Sequence, residues 1–326
     1  MLERVRFQAM GSPCALHLYV QSRAEARRVA DAAVGEVRRL EAKYSRYREE
    51  SLVSAINRAA GDREGIEVDD ETAALLDYAD TGYAESGGRF DLTAGVLRRA
   101  WNFKAGRVPA QAEIDALLPL VGWSQVRWER PRLVLPHAGM EVDFGGYVKE
   151  YAADRVAELC RTLELENGLV DLGGDLAVVG PHPDGRPWSV GVRNPNHPEQ
   201  ALAGVRLLTG GIATSGDYER GMMVDGVRYT HVLDPRTGWP VEGLASVSVI
   251  APHCLVAGSA STIAMLLGSR AGARWLDRLG LPSLRVETNG RCSGALALDG
   301  LRGADANAGT GFPAAAEPLG TDFARA

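Results

Sequence analysis

The chain has 326 residues, 45% of them apolar and 24% charged, so it can bury a large core and reads as an ordinary soluble globular protein. A formal net charge of −6 removes the basic field that a general nucleic-acid binder needs, so any anionic ligand must be held by local features. No run of about 18 apolar residues occurs, so no membrane span is expected, and the N-terminus enters mixed charge with no apolar signal core, which predicts a cytoplasmic chain.

Residues 5–20 read as a strand broken at Gly11-Ser12-Pro13. The spacing predicts a helix over 23–48, with Val29, Ala30, Ala33, Val34, Val37, Leu40 and Tyr44 on one face. A second helix is predicted over 70–86, started by Asp69 or Asp70 and stopped by Gly87-Gly88. Phe90-Asp-Leu-Thr-Ala-Gly95 leads into a helical stretch ending near Trp101-Asn102-Phe103. Segment 105–140 reads as peripheral, with a short helix around 113–118 and strands near 126–128 and 133–135. A short strand at 141–144 precedes a glycine pair and a helix from 148 to about 163, which carries Val148, Tyr151, Ala152, Val156 and Leu159 on one side.

From 169 onward strands dominate, at 169–172, 175–180, 188–193, 203–209 and 226–233. Residues 213–218 read as a polar turn, and Asp225-Gly226 as a hairpin turn after 222–224. A strand at 244–251, a small-residue helix over 255–267, a further helix over 270–279 and strands near 283–288 and 294–298 complete the pattern. This irregular interleaving predicts an α+β fold with mixed or antiparallel sheets and flanking helices in one compound domain over 1–303. Residues 304–326 form an Ala/Gly/Pro-rich tail with little to bury, predicted to be disordered. The four cysteines (Cys14, Cys160, Cys254 and Cys292) are far apart, with no Cys-x-x-Cys, which predicts reduced thiols and no zinc signature.

The 228–240 run, Arg-Tyr-Thr-His-Val-Leu-Asp-Pro-Arg-Thr-Gly-Trp-Pro, carries the clearest chemistry. It puts His231 and Asp234 three residues apart at a predicted strand end. Strand alternation sends them to opposite faces, but a turn at Pro235 can return the carboxylate towards the imidazole, an arrangement suited to proton transfer. Glycine pairs follow short apolar strands at Asp143-Phe-Gly-Gly146 and Asp171-Leu-Gly-Gly174. Glycine allows close backbone approach and a helix start favours phosphate, although ordinary tight turns explain either pair alone. Hydroxyls in 213–218 suit phosphate or ribose, and equally a plain turn. Tyr47, Trp101 and Phe103 can stack on a planar ring or simply lie half-buried. Gly-x-Gly-x-x-Gly, Gly-Lys-Ser/Thr, His-Glu-x-x-His and Gly-x-Ser-x-Gly are all absent, which removes the Rossmann, P-loop and two hydrolase readings.

The order of these signals is more specific than any one of them. Met10-Gly-Ser12, Tyr44-Ser-Arg-Tyr47 with Ser51, Phe90-Asp-Leu-Thr-Ala-Gly95, Asp143-Phe-Gly-Gly-Tyr-Val-Lys149 with Tyr151-Ala-Ala-Asp154, Asp171-Leu-Gly-Gly-Asp175, Ala213-Thr-Ser-Gly-Asp-Tyr218 and His231-Val-Leu-Asp-Pro-Arg-Thr-Gly238 follow one another. This series resembles the FAD:protein FMN transferase (ApbE) family over roughly residues 5–270. The resemblance implies an enzyme that cleaves FAD with Mg²⁺ assistance and moves FMN to a Thr or Ser of a partner flavoprotein, at a motif of the form Asp-Gly-x-Ser/Thr-Gly-Ala-Thr. It implies flavin or adenine contacts at Met10, Tyr47, Trp101, Asn102, Phe103, Asp143, Lys149 and Val232. It also implies acid/base work at His231 with Asp234 beside it, and metal contacts at Gly146, Ser261 and Thr262. Two positions depart from the family pattern. Gly258 stands where the metal-binding aspartate belongs, and Glu150 where glycine follows the lysine. The first predicts weakened Mg²⁺ binding, restored by Gly258→Asp. It also keeps open two other functions: an FAD-binding homologue serving as flavin carrier or regulator, and an FAD pyrophosphatase.

Overall fold

A computed structural model describes residues 1–197, 200–216 and 221–300 of the chain. The expected tail at 304–326, together with Asp217 and Tyr218, lies outside the described residues.

The chain begins with a hairpin, β1 (Leu2–Ala9) and β2 (Ser12–Tyr19). Met10 and Gly11 both take positive φ, 50° and 69°, and close the turn at the predicted break. Helix α1 (Arg23–Tyr44) buries Val29, Ala30, Ala33, Val37, Leu40 and Tyr44, as its periodicity requires, and stops at Ser45, short of the expected 48. The short helix α2 (Leu52–Arg58) follows, then β3 (Ile66–Glu67). Helix α3 (Asp70–Glu85) starts as expected, with the Asp69 carboxylate accepting the Thr72 N–H. A 3₁₀ stretch (Leu92–Arg99), α4 (Gln111–Asp115), β4 (Arg127–Glu129) and β5 (Arg132–Val134) make up the peripheral segment.

The strand expected at 141–144 does not form. The Asn57 side chain takes the place of a neighbouring strand, donating to the Val142 carbonyl at 3.1 Å and accepting its N–H at 2.7 Å. Helix α5 (Val148–Thr162) then leads into β6 (Gly168–Leu172), β7 (Asp175–Gly180), β8 (Trp188–Arg193) and β9 (Ala201–Leu207). Residues 213–216, expected to begin the polar turn 213–218, instead lie in β10 (Gly211–Gly216), paired with β7 on one side. Strands β11 (Met222–Val224) and β12 (Val227–Tyr229) flank the expected Asp225-Gly226 turn, whose φ values are 49° and 77°. Then come β13 (Leu244–Ala251), α6 (Cys254–Leu279), β14 (Ser283–Glu287), β15 (Cys292–Ser293) and α7 (Ala295–Gly300), the last a helix where a strand was expected.

Eight strands form one sheet in the order β1-β2-β6-β7-β10-β13-β14-β15, antiparallel throughout, as the α+β reading requires. Helices α5 and α6 pack against each other and on this sheet, and the main core lies between them, α1 and the strands. Gly268 leaves helical geometry inside α6 (φ 78°), which splits it near the predicted junction of two helices. By length and composition α6 is apolar enough to cross a membrane, against the sequence expectation, and its apolar window is mostly buried within the molecule. Its first turn lacks a cap of its own. Asp154 on α5 supplies one by accepting the Cys254 and Leu255 N–H groups, both at 2.8 Å. All four cysteines are free, and Cys14, Cys160 and Cys254 are buried.

Candidate active site

The site residues fall into two neighbourhoods. The first is aromatic. Trp101 is buried, stacks on Phe103 at 5.6 Å and meets Trp239 edge-on at 5.3 Å. Its indole N–H donates to the Gly238 carbonyl at 2.7 Å. Gly238 has φ 69°, and a Cβ there would lie 2.4 Å from Ile114 Cγ2, so only glycine fits. Asn102 is exposed and turns the chain by accepting the Ala105 N–H at 3.1 Å.

Strand β12 ends at Tyr229 rather than at 233, so strand alternation no longer decides where His231 and Asp234 point. The turn forms as expected, with the Thr237 and Gly238 N–H groups both donating to the Asp234 carbonyl. The Asp234 carboxylate, however, accepts from the Arg236 backbone and guanidinium at 2.6 to 3.0 Å. Burial raises its pKa, but Arg236 outweighs that and holds the carboxyl below its usual range. Val232 packs on the main core and Leu233 on the Trp101 cluster, so this segment ties the two together around a half-buried His231.

The second neighbourhood is polar and lies at one end of the large sheet. The Gly173-Gly174 turn between β6 and β7 is closed by the Gly174 N–H donating to Asp171 at 2.8 Å. A Cβ at Gly173 would lie 2.7 Å from Ser12 Cβ and 3.7 Å from Lys149 Nζ, so the β1–β2 turn, this turn and the start of α5 meet. Met10, beside Ser12, donates its N–H to Glu41 at 2.6 Å. Lys149 pairs with the buried Asp175 at 2.7 Å, and Asp175 also accepts the Thr214 N–H at 3.1 Å. On the flank, Arg46 pairs with Asp143, bonds the Tyr47 hydroxyl at 2.9 Å and sits 5.0 Å from the Tyr47 ring, which is 81% exposed.

Next to Lys149, the Glu150 side chain reaches α6. A Cβ on Gly258 would lie 2.5 Å from Glu150 Cγ and 2.9 Å from its Oε1. Glu150 Oε2 is buried with no hydrogen-bond partner. Burial first, then the Asp175 charge, push this carboxyl well above its usual range, against the pull of Lys149. The Ser215 hydroxyl bonds those of Ser261 at 2.7 Å and Thr262 at 2.8 Å, and Ser261 donates to the Gly258 carbonyl at 2.8 Å. Among the described residues no group of three or more His, Cys, Asp or Glu side chains is placed to hold a metal. The oxygens gathered here, the Glu150 carboxyl and the Ser215, Ser261 and Thr262 hydroxyls, are the hard-oxygen type that suits Mg²⁺.

Sequence reasoning named Lys149, Asp143 and Thr262 and gave the 213–218 hydroxyls to phosphate or ribose, but it did not pair the three with Asp175, Arg46 and Ser215, although each stands inside a motif it had quoted. The three partners come from distant strands and loops, and local spacing does not reveal such contacts.

A model of the ApbE family matches residues 10–284. The FAD:protein FMN transferase of Klebsiella pneumoniae (strain 342) is 35% identical over 269 residues, 81% of this chain and 82% of its own length. The crystal structure of the Thermotoga maritima ApbE protein is similar at TM-score 0.83 and 32% identity, covering 90% of this chain and 97% of that one. The apo form of the Pseudomonas stutzeri flavinyl transferase ApbE gives 0.81 and 30%, covering 94% and 98%. The antiparallel sheet, its flanking helices and the ordered series of motifs along it therefore have one source: the chain belongs to the ApbE family.

Proposed function

We propose that the chain is an FAD:protein FMN transferase. The observation that carries this reading is the polar end of the sheet. There two glycine turns and the start of α5 surround a Lys149 ammonium held by Asp175, an arrangement suited to a diphosphate, on a chain similar over most of its length to enzymes of that name.

In this reading Lys149 and the backbone at Gly145 and Gly146 grip the diphosphate. The exposed Tyr47 ring offers a stacking face, while Met10, Asp143, Val232 and the 101–103 segment shape the ring pockets. His231 accepts the proton of the acceptor hydroxyl as that oxygen bonds to the phosphorus of the FMN half. The bond from this phosphorus to the AMP oxygen breaks, and AMP leaves with the electron pair. Asp234, committed to Arg236, fixes the loop that carries His231. The hydroxyls and Glu150 fit a Mg²⁺ ion, which when bound neutralises charge on the diphosphate. The acceptor is a flavoprotein segment of the form Asp-Gly-x-Ser/Thr-Gly-Ala-Thr.

The test is incubation with FAD, Mg²⁺ and an acceptor domain bearing that segment. The expected result is an acceptor heavier by one FMN, with AMP released in equal amount. FAD bound without products at any Mg²⁺ level overturns the reading in favour of a carrier. FMN and AMP released with no labelled acceptor overturn it in favour of a pyrophosphatase.

A further inference from the structure

We infer that Glu150 supplies the carboxylate of a divalent-cation site between α5 and α6, in the space that a side chain on residue 258 would otherwise fill. The inference rests on the transferase reading for the phosphate that shares the ion.

Three observations carry it. Glu150 Oε2 is buried with no N–H donor and its carboxyl faces that of Asp175, so the two can ionise together only if something positive meets them. The Lys149 ammonium is bonded to Asp175 at 2.7 Å, so one ammonium faces two carboxyls, and a cation would let both ionise. The space itself is shaped for Glu150. Gly258 offers no side chain, and a Cβ there would press into Glu150 Cγ, Cδ and Oε1 at 2.5 to 2.9 Å.

Thr262 lies one turn beyond Gly258 on the same face of α6, and its hydroxyl joins those of Ser215 and Ser261. A single carboxylate with neutral oxygens suits Mg²⁺, which keeps several waters and takes substrate phosphate for the rest. Read one position at a time, Gly258 and Glu150 are two separate departures from the pattern that the resemblance implies. In space these two departures are one change, a carboxylate delivered from α5 instead of α6. Under this inference the gain in Mg²⁺ affinity expected from Gly258→Asp depends on what that change does to Glu150. That side chain would displace Glu150 rather than add to it.

The test measures metal binding without turnover. Mn²⁺ is titrated into the FAD-loaded protein without acceptor, and free Mn²⁺ is read by electron paramagnetic resonance. Glu150→Gln keeps the volume and removes the charge. It should weaken Mn²⁺ at least about tenfold and leave the metal-free melting temperature equal or higher. The double exchange Glu150→Gly with Gly258→Asp should return the affinity to within about threefold of the parent, since ligand charge is conserved. Unchanged affinity in Glu150→Gln, or a double exchange binding no better than Glu150→Gln, overturns the inference. Flavin transfer by the parent is measured separately. Normal transfer with a metal-indifferent Glu150→Gln sinks only this site, whereas Glu150-dependent metal binding without transfer sinks only the transferase reading.

Discussion

The aromatic and polar neighbourhoods solve the same problem, holding a motif in place, by opposite means. Around Trp101 the groups that fix the loop are paired with each other: the indole meets the Gly238 carbonyl, and Asp234 meets Arg236. Between α5 and α6 a buried carboxylate oxygen has no such partner. The first region is held by contacts within the chain. The second stays incomplete, which is the condition of a place made for something from outside.

Substitutions can break or sharpen this contrast. The largest effect is expected from His231→Ala, which should slow FMN transfer by about 10³-fold while FAD affinity changes less than about threefold, because general-base loss acts on the reaction rather than on grip. Single-turnover transfer and flavin fluorescence separate the two, and equal loss of both would remove the imidazole from proton transfer. Trp101→Ala should cost about 3–4 kcal/mol in a denaturant melt by opening a cavity under the 228–240 loop. An unchanged midpoint would mean that the aromatic end is not what fixes the loop.

Lys149→Met should strand the buried Asp175 and cost about 3 kcal/mol, with FAD binding lost in parallel. If Lys149→Met proved stabilising while FAD binding fell, the ammonium would serve the ligand alone. The smallest effect is expected from Arg236→Gln. Arg236 is half exposed, so stability at neutral pH should fall by less than about 1 kcal/mol. With Arg236 present, the Asp234 carboxyl is depressed, so its contribution exists above the unfolded carboxylate value and fades as pH falls through the lower folded one. The variant should lose this acid-side slope, which melts between pH 5 and 2 would show. A retained slope would place its origin elsewhere.

Where local chemistry decides, the sequence was a good guide. Asp69 starts α3, Asp225-Gly226 turns the hairpin, and the small-residue run divides at Gly268. It misled where partners are distant. Ala213 to Gly216 looks like the start of a turn because its residues are small and polar, yet β13 pairs along it and β7 flanks its start, making it part of an inner strand. Residues 141–144 look like a strand, yet the partner they find is one asparagine side chain. The same limit governed the site. His231, Lys149 and Thr262 sit in recognisable strings, but the meeting of Glu150 with Gly258 joins positions more than 100 residues apart and appears only in space.

Asp154 has a further consequence. Because one carboxylate on α5 closes the start of α6 with two bonds, sliding either helix by a single residue, about 1.5 Å, would break both. The backbone beneath positions 150 and 258 is thereby a fixed mount. An engineer could exchange the side chains on it, trying imidazole or thiolate for carboxylate, and ask which ion the proposed site takes without redesigning the scaffold.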